Sequence, residues 1–460
     1  MSRLALVALG AAVFLSGLDQ TVVVSVLPRV VEDLHVSIAE LDDAAWIVTA
    51  YLLGYTVALL PLGRMADVYG DRRVLLACAV LFAGGSLWAA LADGLWLLVA
   101  ARAVQAVGGG GMVPIALAAA GPRRLVALGA VAAAAEAGAV LGPLYGAAFV
   151  DTVGWRAVFW VNVPLTALVV AAAWRPLGSA ARGGGGRVDH RGAVLAAVAL
   201  VALTLALSSG LDTRVRWLLA AVAVVTALAF ARVQELVPRA LLRRAGFALA
   251  NAANVVVGGA LVVALVVVPV YANVVLGQSA TGGGLTLLKL TALIPAGAVL
   301  GGWIAVRVPS GAVAASGMAI AAGGFALLAA GGVSTAALAV TGLGFGLVIA
   351  PYAAAALAAA RGGAEATAAA SLTVSRTLGM TIGLAAVTAW GLEEFRTRAA
   401  RFDLPVQEAG ESDAAYRLEV EHYRGLIVDS ALYVFDRLFL AAAALCLAAA
   451  IVSVRLRRSA

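Results

Sequence analysis

The sequence predicts an all-α polytopic membrane protein with fourteen spanning helices. Three observations carry that expectation. Of 460 residues, 63% are apolar and only 12% are charged, with a mean hydropathy of +1.01; a soluble domain is nearer half apolar and a quarter charged. Apolar stretches of the roughly 20 residues needed to cross a bilayer follow one another along the chain. The charged residues gather in the short segments between them. A single soluble core cannot bury this much apolar surface in this length, whereas lipid can.

The spans are expected at 4–28, 44–63, 74–92, 95–118, 124–149, 156–174, 192–209, 216–231, 247–274, 281–305, 310–330, 334–356, 364–391 and 431–454. The first carries an early charge, Arg3, but it is longer than a signal-peptide core and no clear small-residue cleavage site follows it. Sorted by parity, one side holds most of the basic residues, among them Arg72, Arg73, Arg123, Arg124, Arg175, Arg187, Arg239, Arg243, Arg244, Arg455 and Arg458; the other side holds most of the acidic ones. The positive-inside rule then places both termini in the cytoplasm, with the chain in the inner (cytoplasmic) membrane of a bacterium. The formal charge of +7 is read as a topology signal facing anionic lipid, so no nucleic-acid partner is expected. Two segments lie outside the membrane: a Gly- and Arg-rich cytoplasmic linker at 175–191 and a long external loop at 392–430, whose apolar spacing predicts helical extensions around a turn near Pro405 to Gly410.

Other chemistries find no support. Cys78 and Cys446 lie in apolar stretches, and His35, His190 and His422 lie in loops, so neither a disulfide framework nor a buried metal site is expected. No phosphate-binding loop, nucleophile elbow, zinc helix or dinucleotide fingerprint occurs in a suitable context. No cofactor and no enzymatic activity are expected.

Five motifs do carry information. GRMADVYGDRR, Gly63 to Arg73, lies between the second and third spans. Gly63 and Gly70 permit close backbone approach. Asp67 suits the positive end of a neighbouring helix, and Arg72 and Arg73 can pair across helix ends, so the segment reads as a conformational latch. In the fifth span Gly129, Gly138, Gly142, Pro143 and Gly146 give small residues at helical spacing with a Gly-Pro kink. The fourth span holds Arg102, Gln105 and Gly108; the first holds LDQTVVVSVLP, Leu18 to Pro28; the sixth opens with WRAVFWVNVP, Trp155 to Pro164.

Charges inside a bilayer are expensive and need a partner, a wet cavity or a job. At 1.5 Å per residue, Asp19 falls roughly 8 Å below the outer edge of the hydrocarbon core, and Arg102 about 10 Å below it, which makes a pair between them plausible. Glu136 and Arg376 both fall near mid-depth, with Lys289 slightly outside the midplane. Glu136 has no polar neighbour for several residues either way. Desolvation favours its neutral form and an approaching cation, Arg376 or Lys289, opposes that; alternation between neutral and paired states is what a proton-coupling site must do. Lys289 is the only lysine among 32 basic residues, and a buried lysine can deprotonate where arginine cannot. Proton coupling is therefore assigned to Asp19, Glu136, Lys289 and Arg376. Asn251 and Asn254 share a face of the ninth span and are read as helix-to-helix contacts.

The latch segment resembles the signature loop of the major facilitator superfamily, with Met65 and Asp71 departing from its pattern. Gly138, Gly142, Pro143 and Gly146 look like the antiporter signature of facilitator exporters, with Ala147 where a final glycine is usual. The fourth-span pattern is also similar, with Ala106 in place of a glycine. The first and sixth spans resemble the 14-helix drug:proton antiporters. The YLLGYTVALLPLG run, Glu136 and the basic residue before PAGAVLGG resemble the actinobacterial triacylglyceride exporters of that family. The resemblance implies a major facilitator fold: an N-terminal six-helix bundle at 1–174, an extra helix pair at 192–232 and a C-terminal six-helix bundle at 233–460, working as a monomer. It implies proton-driven export of a hydrophobic small molecule, multidrug-type, or alternatively of a triacylglyceride-like lipid.

Overall fold

The structure, a computed structural model, describes residues 2–36, 41–174, 188–207, 212–360, 363–407 and 412–456. Among these no strand occurs, and the helices are α1 (Arg3–Asp33), α2 (Leu41–Ala44), α3 (Trp46–Tyr69), α4 (Asp71–Ala90), α5 (Leu95–Ala120), α6 (Leu125–Thr152), α7 (Arg156–Trp174), α8 (His190–Leu207), α9 (Thr213–Val233), α10 (Arg239–Leu242), α11 (Ala245–Val274), α12 (Ala280–Thr291), α13 (Leu293–Ile304), α14 (Ser310–Gly331), α15 (Thr335–Ala359), α16 (Glu365–Ala399) and α17 (Asp413–Val454). Fourteen candidate spans result, α12 and α13 together forming the tenth. Most of the expected linker, 175–187, and the centre of the expected turn, 408–411, lie outside the described residues.

Local chemistry sets the ends. Ser2, Ser279, Ser334 and Ser412 each accept a hydrogen bond from a first-turn backbone N–H, satisfying donors a helix start leaves orphaned. Gly70, at φ 96°, closes α3 and opens α4, a conformation a Cβ would strain. The tenth span breaks at Ala292. Pro295, two residues into α13, lacks the N–H that would continue the ladder to Thr291, and sits where a first turn has no partner for it.

The helices form two six-helix bundles plus two extra helices. In the first bundle α1 packs along α6, and α5 packs along α3 and α4; in the second α11, α14, α15, α16 and α17 pack together with α12 and α13. The extra helices pair with each other, and α8 touches both α3 and α16, while α9 buries only Ala223.

Glycine makes the close crossings. A Cβ on Gly138 would strike the Phe14 carbonyl, one on Gly142 the Thr21 hydroxyl and one on Gly146 the Ser25 hydroxyl, so α6 lies with its backbone against α1. Thr21 Oγ1 donates to the Ala139 carbonyl across the same seam at 2.8 Å. In the second bundle Gly258 meets the Arg376 carbonyl, and Gly379 meets that of Val255. Asn254 donates to the Leu372 carbonyl at 2.6 Å, and Ser375 donates to Asn251 at 2.8 Å. Both asparagines therefore tie α11 to α16.

The long helices α16 and α17 continue well past the bilayer thickness. At 1.5 Å per residue they run to about 50 and 60 Å, against a hydrocarbon core of about 30 Å. The segment read as the loop 392–430 is thus largely two helical extensions. Arg398 joins them: it pairs with Glu394 on its own helix at 2.7 Å and lies 3.3 Å from the Tyr433 ring on α17.

Candidate functional site

The latch residues meet the second bundle. Asp67 Oδ1 accepts from the Ala366 N–H at 2.9 Å, and Oδ2 accepts from the Thr367 N–H at 2.9 Å and its hydroxyl at 2.6 Å. These are the first N–H groups of α16, where the helix dipole favours an anion. Gly63 lies against Ala366 and Ala370, where a Cβ would come within 2.8 Å of the Ala366 carbonyl. Arg72 stacks its guanidinium 4.8 Å from the Trp174 ring, and Arg73 is exposed. Among the described residues neither arginine makes an ion pair. The expected pairing across helix ends is replaced for Arg72 by a cation–π contact, because the end of α7 presents an aromatic ring there rather than a carboxylate.

A second contact joins the bundles near mid-depth. Arg376 Nη1 donates to Glu136 Oε1 at 2.6 Å, and Nη2 lies 3.5 Å from Oε2. Each residue stands roughly 17 Å along its helix from the start of α6 or α16. The pair is partly open, with 25% of the arginine side chain and 19% of the carboxylate side chain exposed. Lys289 does not join it. That side chain is exposed on α12 and makes no ion pair among the described residues.

Asp19 sits in a different setting, at 0% exposure. Its carboxylate accepts from Arg102, from Gln105 at 2.9 Å and from Asn162 at 2.8 Å. Arg102 also bonds the Asp19 carbonyl and the Gln105 amide oxygen, and its guanidinium lies 4.0 Å from the Tyr51 ring. Gln105 in turn donates to Ser86 at 2.6 Å. The pair expected from depth alone is thus the centre of a network drawn from five helices. Sequence reasoning missed Asn162, Ser86 and Tyr51 as members; Asn162 was visible within the WRAVFWVNVP motif.

Several close contacts between the bundles lie toward one side. Glycine and polar contacts join Gly63 and Asp67 to the start of α16, and Gly129 to Ala298 and Gly302 at the end of α13. All lie toward the side that carries Arg3 and Arg455, the ends of α1 and α17. The Glu136–Arg376 pair stands further from that side than these contacts, near mid-depth.

A family model for the Major Facilitator Superfamily matches residues 9–384. The chain belongs to the major facilitator superfamily. It is similar to a triacylglyceride transporter of Mycolicibacterium hassiacum, 36% identical over 84% of this chain and 78% of that protein. A triacylglyceride transporter of Mycolicibacterium smegmatis is 34% identical over 96% of this chain and 85% of that protein. One from Mycobacterium tuberculosis is 36% identical over 85% and 83%. Among solved structures a human organic anion transporter superposes with a TM-score of 0.61 at 15% identity, covering 96% of this chain and 99% of that one. The Escherichia coli fucose:proton symporter gives 0.59 at 16%, covering 97% and 98%. The protein is a transporter of this superfamily in the cell membrane, and its family is one of transporters rather than enzymes.

Proposed function

We propose that this transporter exports a neutral, largely apolar lipid of the triacylglyceride kind, driven by proton entry. The relatives named triacylglyceride transporters, which align over 84% and 96% of the chain, favour lipid over the multidrug cargo read first from the sequence. With both termini in the cytoplasm, the contacts of Asp67, Gly63 and Gly129 with the second bundle lie on the cytoplasmic side, which supports an outward-facing reading of this conformation. The observation that carries the mechanism is the partly exposed Glu136–Arg376 pair bridging the two bundles.

A proton arriving from outside can reach Glu136 in this state, while Asp19 is sealed. Protonation removes the charge that holds Arg376, so the second bundle is released to rock inward. Proton loss to the cytoplasm and cargo loading then favour return, and the pair re-forms in the outward state. Asp67 against the start of α16 acts as the latch of that state, with Gly70, Arg72 and Arg73 shaping the turn that presents it. The Asp19–Arg102–Gln105 network acts as the fixed polar core around which the first bundle moves as a unit. Lys289, exposed on α12 in the tenth span, serves as a second cation that Glu136 meets in another state of the cycle.

The test is gradient-driven transport in proteoliposomes with a fluorescent triacylglyceride and, separately, a cationic dye. Lipid movement that needs the proton gradient and is lost in Glu136→Gln supports the reading. Dye movement alone would restore the multidrug reading, and normal lipid transport by Glu136→Gln would remove the coupling role.

A further inference from the structure

Gly63 of α3 lies against Ala366 and Ala370 of α16, and beyond that contact the same two helix faces continue outward. On α16, Thr377, Thr381 and Thr388 stand about two, three and five turns past Ala370, each within roughly 20° of its direction. Leu384 interrupts the row once. Thr373 stands three residues before Arg376, on the side of the helix that carries that arginine. On α3, Thr56 and Thr49 stand about two and four turns from Gly63 on its own face. As the second and thirteenth spans, the two helices run antiparallel. Thr56 therefore falls level with Thr377, and Thr49 with Thr381, to within about one turn. The row on α16 ends about 18 Å beyond Arg376, which covers the outer half of a hydrocarbon core about 30 Å thick.

These hydroxyls are accessible: five of the threonines are half-buried and Thr388 is exposed. Each donates to a carbonyl one turn back on its own helix, at 2.8 to 3.2 Å. Among the described residues nothing donates to their oxygens, so each keeps lone pairs that can accept from water. Back-bonded threonines also occur in helices that simply face lipid, but here they gather on the face that meets the first bundle, while Ile382, about a quarter-turn or more away, is 53% exposed. α8 touches both α3 and α16, standing beside this seam on its lipid side. At the inner end Tyr55, next to Thr56, is near enough to Glu136 and Arg376 to interact electrostatically with both. The seam on the other side differs. On α6 the face of Gly129, which meets Ala298 and Gly302 of α13, continues as Glu136, Pro143 and Ala147, so beyond the carboxylate it is apolar.

We propose that the outer half of the α3–α16 seam is a hydrated path carrying protons to the Glu136–Arg376 pair, lined by the threonine hydroxyls of both helices, and that the α6 side of the opening is left to apolar cargo. A proton entering on water ends on the Glu136 carboxylate, and the threonines hold that water without changing their own bonds. The path deepens the proton-driven reading above and rests on it.

The experiment places single cysteines in the full chain in nanodiscs and measures their reaction with a methanethiosulfonate bearing a trimethylammonium group. Cys78 and Cys446 are buried and set the background. The charged reagent and the thiolate it needs both belong to water and not to hydrocarbon, so Thr381→Cys and Thr388→Cys should react about tenfold or more faster than Ile382→Cys and Ala147→Cys. In proteoliposomes, Thr377→Val with Thr381→Val should slow gradient-driven transport roughly three- to tenfold, the effect of a lost hydrogen bond to water, and the two serine replacements should restore it. Cysteines at 381 and 388 as inert as those at 382 and 147 would overturn the path whatever drives transport, because labelling needs no turnover. Equal reaction at all four positions would overturn it too, since the threonine rows would then mark nothing. Lipid movement by wild type that ignores the gradient would instead overturn the proton-driven reading, and the path with it.

Discussion

Asp19 and Glu136 are both carboxylates inside a membrane protein, each bonded to an arginine, and their surroundings give them different consequences. Asp19 and Arg102 are wholly buried, and the carboxylate takes donors from three side chains. Removing one member of such a pair strands the other charge, which in buried pairs is destabilising by about 3–5 kcal/mol. Asp19→Ala should therefore lower the midpoint of denaturation in detergent substantially. Glu136→Ala, at a partly exposed pair, should shift it by less than Asp19→Ala does, while abolishing gradient-driven transport. Equal destabilisation by both would mean that the pair between the bundles is structural. Much of this site was legible in the sequence. Depth along two helices paired Asp19 with Arg102, and the isolated mid-span carboxylate of Glu136 was expected to meet Arg376 or Lys289. Asn162 was in view inside a motif but received no job, because its meeting with Asp19 depends on how α7 leans against α1, and helical spacing says nothing about that. Lys289, slightly outside the midplane, had a nearby depth and a suitable charge yet remains apart from Glu136. Depth ranks candidates along one axis, and the bundles decide which of them share a position around it.

The helices themselves followed from hydropathy, and their crossings from glycine. Every expected span has a helix in its place, because apolar length is a local property that lipid selects directly. The ends were less legible: α1 runs through Pro28 to Asp33 and α17 begins at Asp413, since polar residues beyond the core continue a helix at no desolvation penalty. The tenth span was read as continuous although Pro295 lay within it, and it divides at Ala292. The Gly138, Gly142, Pro143, Gly146 pattern is explained at this scale as the seam between α1 and α6. Gly138→Ala should push its methyl into the Phe14 carbonyl, where neither backbone has room to retreat, and destabilise the protein by about 1–3 kcal/mol as overpacking does. Gly84→Ala, which meets nothing within 4 Å, is the matched control and should be neutral or slightly stabilising, because alanine is the better helix former. Thermal unfolding of both variants in the same detergent checks this. Similar losses in the two would show that helix propensity, not the crossing, sets the effect.

At the scale of the whole molecule, contacts between the bundles include a group toward the side of Arg3 and Arg455 and, at mid-depth, the Glu136–Arg376 pair. In that group Asp67 ties α3 to α16 through two backbone N–H groups and the Thr367 hydroxyl, and Gly63 and Gly129 let the backbones meet. Hydrogen bonds to a charged group contribute about 1.5–3 kcal/mol each. Asp67→Asn keeps the shape, removes the charge from the α16 dipole and replaces one acceptor oxygen with a donor that faces other donors. If the latch weakens by even about 1.4 kcal/mol, the ratio of outward to inward states changes tenfold. The second bundle should therefore spend more time rocked away from Asp67, with little change in overall stability, because each bundle keeps its own packing. Spin labels placed at Arg73 and Arg244, both exposed beside this face, read the separation directly. The wild type should give a narrow short distance and Asp67→Asn a second, longer population that grows. Glu136→Gln should add to it, since the mid-depth pair and the latch oppose the same rotation from different depths. If Asp67→Asn leaves the distance distribution unchanged while transport falls, the aspartate acts in the chemistry of the cycle and the side of Arg3 and Arg455 is held by glycine packing alone.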